Sequence, residues 1–176
     1  MEIVAGPAVE RRPVQSYLGI REIAPFRGML SVRDRLWAEV YDWLRAHDIE
    51  RFGQAFLRLN VIDMKGAMDI EAGVTTPQPL DGDSRVRPGQ FPAGDYATLT
   101  YCNHSIRANG ALIDWSRSQG LAFDRSDDPA GDRFACRYEL NISDPRRERR
   151  RTAWVVQLNF LLRPRQEPTA RGVSHG

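Results

Sequence analysis

Three polar side chains that can hydrogen-bond or form an ion pair with a small molecule lie on predicted strands rather than in loops. Glu139, Gln157 and Asn60 each alternate with apolar residues. Successive side chains of a strand point to opposite faces of its sheet, so the polar members should share the face that the apolar members leave. A carboxylate flanked by amides suits recognition of a cationic ligand or, beside a positioned water, general acid–base chemistry.

The last two predicted strands indicate which side chains face the helices and which face away from them. Their apolar rows are Phe134, Cys136, Tyr138, Leu140 and Ile142 in one, and Trp154, Val156, Leu158, Phe160 and Leu162 in the other. Exposure of such rows would forfeit about 2 kcal/mol per large side chain. We therefore expect both rows beneath helices, and Glu139, Gln157 and Asn159 on the uncovered face of the sheet. The polar residues expected with them are Arg58, Asn60, Asp69 and Glu71.

A simpler interpretation of the same alternation stays open. Antiparallel sheets commonly have one solvated face, and polar rows are the ordinary composition of such a face without any ligand.

Two amphipathic segments predict the helices that position these strands. Apolar residues recur every four positions from Val32 to Leu44, which predicts a helix over 32–46, and a second helix over 105–119 ends before Gly120. The remaining predicted elements are strands at 14–23, 55–62, 68–74, 96–102, 134–142 and 152–162, with an edge strand around 85–91 in a connector over 75–94.

The order strand–helix–strand–strand occurs twice in these elements. Two such βαββ units predict an α+β fold, with an antiparallel-rich sheet that carries both helices on one face. Residues 1–7 are expected to form a loose lead-in, 1–163 to form one domain, and 164–176 to be a disordered tail.

The composition disfavours several functional classes. The 176 residues include 25 Lys and Arg against 23 Asp and Glu, a formal net charge of +2. That balance, with no helix-turn-helix pattern in residues 1–30, predicts no direct binding of nucleic acid. No segment resembles a signal peptide or a membrane span, which predicts a cytoplasmic protein without membrane contact. Three scattered histidines, two separated cysteines and the lack of a nucleotide-binding fingerprint predict neither a metal nor a cofactor.

Two further places are candidates for ligand contact. Asn103 and His104 precede the second predicted helix, where the histidine could hydrogen-bond a ligand or cap the helix. Trp37 lies on the first predicted helix, and tryptophan there is more typical of a core, although it is kept as a candidate.

The chain resembles the GyrI-like family, which is related to the effector-binding domains of Rob-type and multidrug-responsive transcription regulators. The resemblance covers about residues 8–163. It is carried by the segments LWAEVYDWLRAH, FLRLNVIDM, MDIEAGVTT, FPAGDYATLTY, GALIDWSRSQGL, RYELNISDP and AWVVQLNFLL. It implies a pseudo-twofold arrangement of the two βαββ units and a ligand cleft on the sheet near their seam.

The resemblance also implies functional residues. In the multidrug regulators, the acid of a tyrosine–glutamate pair lies in the pocket that binds cationic, aromatic compounds, and Tyr138-Glu139 is the matching pair here. Two positions depart from the family: Gln157 stands where members often have an acid, and Leu59 where many have a tyrosine. The loss of a second acid weakens an enzymatic interpretation.

The expected function is therefore to sense or sequester hydrophobic small molecules, including cationic ones, without a DNA-binding domain of its own. Two alternatives follow from the family. One is a hydrolase that opens cyclopropane-containing natural products, in which Glu139 would be the catalytic residue. The other is an interaction protein that inhibits DNA gyrase. A protein partner or a homodimer is left open by the sequence.

Overall fold

The computed structural model describes residues 1–164 and shows the predicted α+β architecture. The helices are α1 (Met29–Ala46) and α2 (Ser105–Ser118), with a single 3₁₀ turn at Arg151–Ala153. The strands are β1 (Glu2–Arg12), β2 (Gln15–Pro25), β3 (Ala55–Ile62), β4 (Ala67–Thr75), β5 (Arg87–Phe91), β6 (Gly94–Cys102), β7 (Arg125–Asp128), β8 (Gly131–Phe134), β9 (Arg137–Asn141) and β10 (Val155–Leu161).

The strands form one antiparallel sheet. Its main order is β1-β6-β10-β9-β3-β4-β2-β5, and the β7–β8 hairpin joins through the pairing of β8 with β3. The β9–β3 pair is at the centre. On one side of it lie β10, the last strand, and then β6, which precedes α2; on the other side lie β4 and then β2, which precedes α1. That order agrees with the repeat of element order along the chain, whereas the duplication itself stays a prediction.

Both helices pack on the same face of the sheet, as predicted. The core under them combines Leu36 and Val40 of α1 and Leu112 of α2 with strand residues such as Ile70 and Leu158. The four-residue spacing of the apolar side chains in α1 explains this packing, because it places them on one stripe of the helix. Within residues 1–164, neither helix is long and apolar enough to cross a membrane.

Two segments differ from the predictions. Residues 2–7 of the predicted lead-in belong to β1, which pairs with β6. Gly6 and Pro7 interrupt the alternation that would have signalled this edge strand. The hairpin of β7 and β8 was missed because its short polar strands have no apolar period. The edge strand near 85–91 is confirmed as β5. The predicted disordered tail lies outside the described residues from position 165 onward.

The face opposite the helices is not uncovered, because the sheet curls over a second core. In a flat sheet the six strand spacings from β6 to β5 would span roughly 29 Å. Phe91 ends β5 and Gly94 begins β6, and three residues of chain reach only about 11 Å. The curl encloses an aromatic cluster on what we call the concave face. Its members are Tyr17, Phe56, Phe91, Tyr96, Cys136, Tyr138, Leu161 and the partly buried Leu140.

Candidate ligand site between the helices

Glu139 lies on the helix face of the sheet, so the predicted orientation of this residue is wrong. It stands directly opposite Leu158, which packs in the core beneath the helices. The apolar row of β9 instead points into the concave face, where Tyr138 stacks on Phe91 with ring centroids 3.8 Å apart. The apolar row of β9 was expected beneath the helices but packs in the concave core, and Glu139 therefore lies on the helix side.

A pocket of about 190 Å³ lies beside Glu139, between the first turns of α1 and α2. We call it the inter-helix pocket. Strands β6, β9 and β10 form its floor, and the segment before α2 forms part of its rim. Its polar and aromatic lining residues are Arg33, Tyr101, Asn103, His104, Ser105, Glu139, Asn141, Arg151, Thr152 and Trp154.

Glu139 has no salt bridge within residues 1–164. Its Oε1 accepts a hydrogen bond from Asn109 Nδ2 at 3.3 Å. The pKa of Tyr101 is raised by burial and by the nearby Glu139 carboxylate, so this tyrosine presents a neutral hydroxyl. The pocket wall therefore combines a carboxylate that lacks a cationic partner with an uncharged aromatic ring.

Arg33 does not neutralise Glu139. Its guanidinium instead binds the Asp34 carboxylate at 2.7 Å and packs over the rings of Trp37 and Trp154, at 4.5 and 5.3 Å from the ring centroids. The bond to the adjacent residue and the two aromatic faces hold its charge at one end of the pocket.

Asn141 adds a donor without an acceptor. Its Nδ2 is buried and has no hydrogen-bond partner within the described chain. A buried amide left unpaired costs about 1–3 kcal/mol, so such groups usually meet water or a ligand. Because Asn141 lines the inter-helix pocket, a bound molecule would find both an acceptor and a donor in the same wall.

The rim of the pocket contains strained backbone. Asn103 and His104 have φ values of 61° and 63°, in the left-handed region that side chains other than glycine rarely occupy. The His104 side chain makes no capping hydrogen bond to α2, so the structure does not support the capping alternative. Consecutive strained residues of this kind cluster at ligand sites and switch regions.

The other predicted site residues lie elsewhere. On the concave face, Tyr138 belongs to the aromatic cluster, Gln157 accepts a hydrogen bond from Arg12 at 3.0 Å, and Asn60 faces Asp69 at 3.4 Å. Trp37 lies in the helix-side core and donates to the Phe56 carbonyl at 2.8 Å. The structure thus brings together Glu139, Asn103 and His104, and it separates these from the remaining four.

The concave core contains a polar network in which Arg58 and Glu71 share a face, as predicted, and to which Tyr17 contributes unexpectedly. The Tyr17 hydroxyl donates to Glu71 Oε2 at 2.9 Å and accepts from Arg58 Nη1 at 2.9 Å. Burial raises the pKa of Glu71 above its ordinary value. These three side chains bond to one another, which is typical of a structural role, although Arg58 Nε is buried without a hydrogen-bond partner among the described residues. Imperfect alternation in the first predicted strand hid the contribution of Tyr17.

No protein-family model matches the sequence, and no curated protein matches it. Solved structures match the fold. The C-terminal domain of EcmrR is similar with a TM-score of 0.65 at 15% identity, over 89% of this chain and 96% of that domain. In an EcmrR–DNA complex, the match spans 56% of the EcmrR chain, so this chain corresponds to about half of it.

Two further matches broaden the comparison. A hydrolase from Listeria innocua has a TM-score of 0.55 at 12% identity, over 89% of this chain and 92% of that one. SAV2435 bound to tetraphenylphosphonium has a TM-score of 0.50 at 11% identity, over 89% and 93%. Identities this low show a shared fold alone.

Proposed function

We propose that this chain is a small-molecule-binding domain that takes a lipophilic cation in the inter-helix pocket. The observation that carries the proposal is the Glu139 carboxylate, which lines the pocket without a salt bridge among the described residues. The rings of Tyr101 and Trp154 lie in the same lining. A carboxylate supplies charge and aromatic faces supply area and cation–π attraction, which together favour a cationic, partly apolar ligand.

The structural matches support this class of ligand. Tetraphenylphosphonium, the ligand of one matched protein, is a permanently charged cation with aromatic rings. The match to EcmrR covers its C-terminal domain almost completely. In this proposal, residues 1–164 sense or sequester the ligand and do not bind DNA.

The dimensions of the pocket restrict how the ligand binds. A volume of about 190 Å³ lies below the roughly 300–1,000 Å³ of sites for drug-sized molecules. The ligand is therefore a small aromatic ammonium ion, or a larger cation that inserts one arm. The exposed Leu30 at the start of α1 offers apolar surface to any part that remains outside.

Hydrolysis is not part of the proposal. Glu139 is the sole carboxylate in the lining of the inter-helix pocket, and Gln157, at the position where the family often has an acid, faces the other side of the sheet. General acid–base catalysis would need a second group that acts together with Glu139. His104 lines the same pocket, but within the described residues it makes no hydrogen bond to Glu139, whose side chain bonds to Asn109.

Calorimetric titration of a matched pair of ligands tests the function. Naphthylmethylammonium and naphthalenemethanol have the same ring system and differ in charge. We expect Glu139→Gln to weaken ammonium binding by about 1–3 kcal/mol, the scale of a lost charge-assisted hydrogen bond, and to leave the alcohol unchanged. The control is Glu50→Gln, which alters an exposed acid outside the pocket. Equal losses for both ligands, no loss for either, or the same loss in the control would refute the proposal.

A further inference from the structure

A second cavity lies on the other side of α2. It is a groove of about 860 Å³ between the C-terminal half of α2 and the β7–β8 hairpin. We call it the α2 groove. Its apolar wall consists of Ile113, Leu121, Phe123 and Phe134. The charged residues of its lining are Arg117, Arg125, Arg137, Arg163, Asp127 and Asp132. Arginines outnumber acids there, while the overall chain is nearly balanced.

Arg137 is the buried charge of this groove. Its guanidinium lies over the rings of Phe160 and Phe134, at 4.1 and 4.8 Å from their centroids. It makes no salt bridge within residues 1–164, and its Nε is buried without a hydrogen-bond partner. Burial lowers its pKa to about 10, the mark of a cation held where its charge is poorly compensated.

The neighbouring groups do not neutralise Arg137. Its Nη2 donates to Asn109 Oδ1 at 2.8 Å, an amide without net charge. Glu139 accepts a hydrogen bond from the other end of the same amide, and its charge acts on Arg137 without a direct ion pair. The Asp132 carboxylate is bound by Arg125 at 2.7 Å.

Arg163 provides a second cation without an acid. Its guanidinium donates to the Arg125 carbonyl, and within the described residues it makes no salt bridge. Two positive groups without a salt bridge among the described residues thus line a groove that also has an apolar wall. A carboxylate bound beside a buried guanidinium would form the strong, charge-assisted contact that Arg137 lacks.

We infer that the α2 groove is a second binding site, which takes an organic anion: a carboxylate attached to an apolar ring system. The carboxylate binds at Arg137, and the ring system covers the wall that includes Leu121 and Phe123. The inference does not depend on the proposed function of the inter-helix pocket, because the two sites select opposite charges and have no lining residue in common.

Titration with 1-naphthoate tests this site, with naphthalenemethanol and naphthylmethylammonium as neutral and cationic counterparts. We expect saturable binding of the carboxylate that is at least about tenfold tighter than binding of the alcohol, the scale of one charge-assisted contact. Arg137→Met keeps the length of the side chain and removes its charge, and it should weaken 1-naphthoate binding by about tenfold or more. Arg87→Gln changes an exposed arginine outside the groove and should have no effect.

Two more variants keep the test decisive if Arg137→Met does not fold. Arg163→Gln removes the exposed cation and should weaken 1-naphthoate binding severalfold, and Leu121→Trp should block the groove. Unchanged affinity in both variants would overturn the inference, as would equal affinity for carboxylate and alcohol. Tighter 1-naphthoate binding in Glu139→Gln with no change in Arg163→Gln would place the anion in the inter-helix pocket and also overturn it. Failure of ammonium binding alone would affect only the proposed function.

Discussion

Arg137 and Glu139 lie two residues apart on the same face of β9, and a single side chain joins them. Asn109 of α2 accepts a hydrogen bond from the arginine at 2.8 Å and donates one to the glutamate at 3.3 Å. Its amide separates two opposite charges, each of which lines a different cavity. One helical residue thus fixes the boundary between the two candidate sites.

Removal of this amide bridge should destabilise the protein. Asn109→Leu has a similar volume but leaves Arg137 and Glu139 each without a partner, so we expect a loss of about 1–3 kcal/mol in the free energy of unfolding. Urea denaturation measures the change. Arg107→Ala, at an exposed position of the same helix, should stay within about 0.5 kcal/mol of the parent protein. Equal effects of the two substitutions would show that the bridge contributes nothing.

The buried carboxylate of the concave face gives a pH dependence. Burial raises the pKa of Glu71 in the folded protein above its ordinary value of 4.5. The folded state therefore binds this proton more tightly than the unfolded state, and its contribution to stability falls as pH rises from 4.5 through the folded pKa. Glu71→Gln removes this fall. The variant should gain stability relative to the parent as the pH of urea denaturation is raised from 4.5 to 8, whereas a pH-independent difference would contradict the shift.

The stacked pair on the concave face predicts a large packing effect. Phe91 is 1% exposed and contacts Tyr17, Phe56 and Tyr138. Phe91→Ala should cost about 3–5 kcal/mol, as for other buried phenylalanines. Ile106→Ala, at a residue that is 76% exposed, is the matched control and should be nearly neutral. Comparable denaturation midpoints for the two variants would mean that the concave face is not a core.

Alternation predicted the helix-facing row of β10 correctly and failed for β9. The row from Trp154 to Leu162 packs under the helices as expected, and Gln157 and Asn159 lie on the opposite face. In β9, the side chains on both faces of the strand are buried or partly buried. A local pattern distinguishes apolar from polar residues, but it does not tell which of two apolar cores a row enters; that depends on the curl of the whole sheet.

The charged residues of β9 show the same limit. Arg137 alternates with Cys136 and Tyr138, so its sequence context suggests a solvated side chain. The structure places it against Phe160 because the β9–β10 pairing sets those residues opposite each other. Long-range pairing of this kind is not encoded in the immediate neighbours. The position of Asn103 and His104 directly before α2 was predicted correctly, because a loop joined to a helix start is recognisable from turn signals alone.

Substitution of glycine by alanine should have opposite effects on stability at Gly73 and Gly110. A Cβ atom at Gly73 would lie 1.9 Å from the Leu18 carbonyl oxygen, whereas one at Gly110 would meet nothing within 4 Å. Gly73→Ala should disturb the pairing of β2 with β4 and cost about 2 kcal/mol or more. Gly110→Ala, in the interior of α2, should stabilise by about 0.5–1 kcal/mol. Thermal or urea unfolding distinguishes them, and a stable Gly73→Ala variant would argue against the close approach of these strands.

A substitution at His104, which has left-handed backbone at the pocket rim, should change ligand binding without loss of stability. Glycine occupies this conformation without the steric cost of about 1–2 kcal/mol that a side chain adds, although it also raises the entropy of the unfolded chain by about 0.5–1 kcal/mol. His104→Gly should therefore be neutral or stabilising by up to about 1 kcal/mol. It also removes an imidazole from the pocket lining and loosens the rim, so affinity for naphthylmethylammonium should fall severalfold.

A second left-handed residue supplies the control for this prediction. Asp48 follows α1 with a φ of 55° and lies outside the lining of the inter-helix pocket. Asp48→Gly should relieve the same kind of backbone strain and leave ammonium affinity unchanged. Unfolding free energies and calorimetric titrations of the two variants give both readouts. If His104→Gly binds the ammonium ion as tightly as Asp48→Gly does, then the strained rim plays no part in ligand binding and its conformation has a purely structural cause.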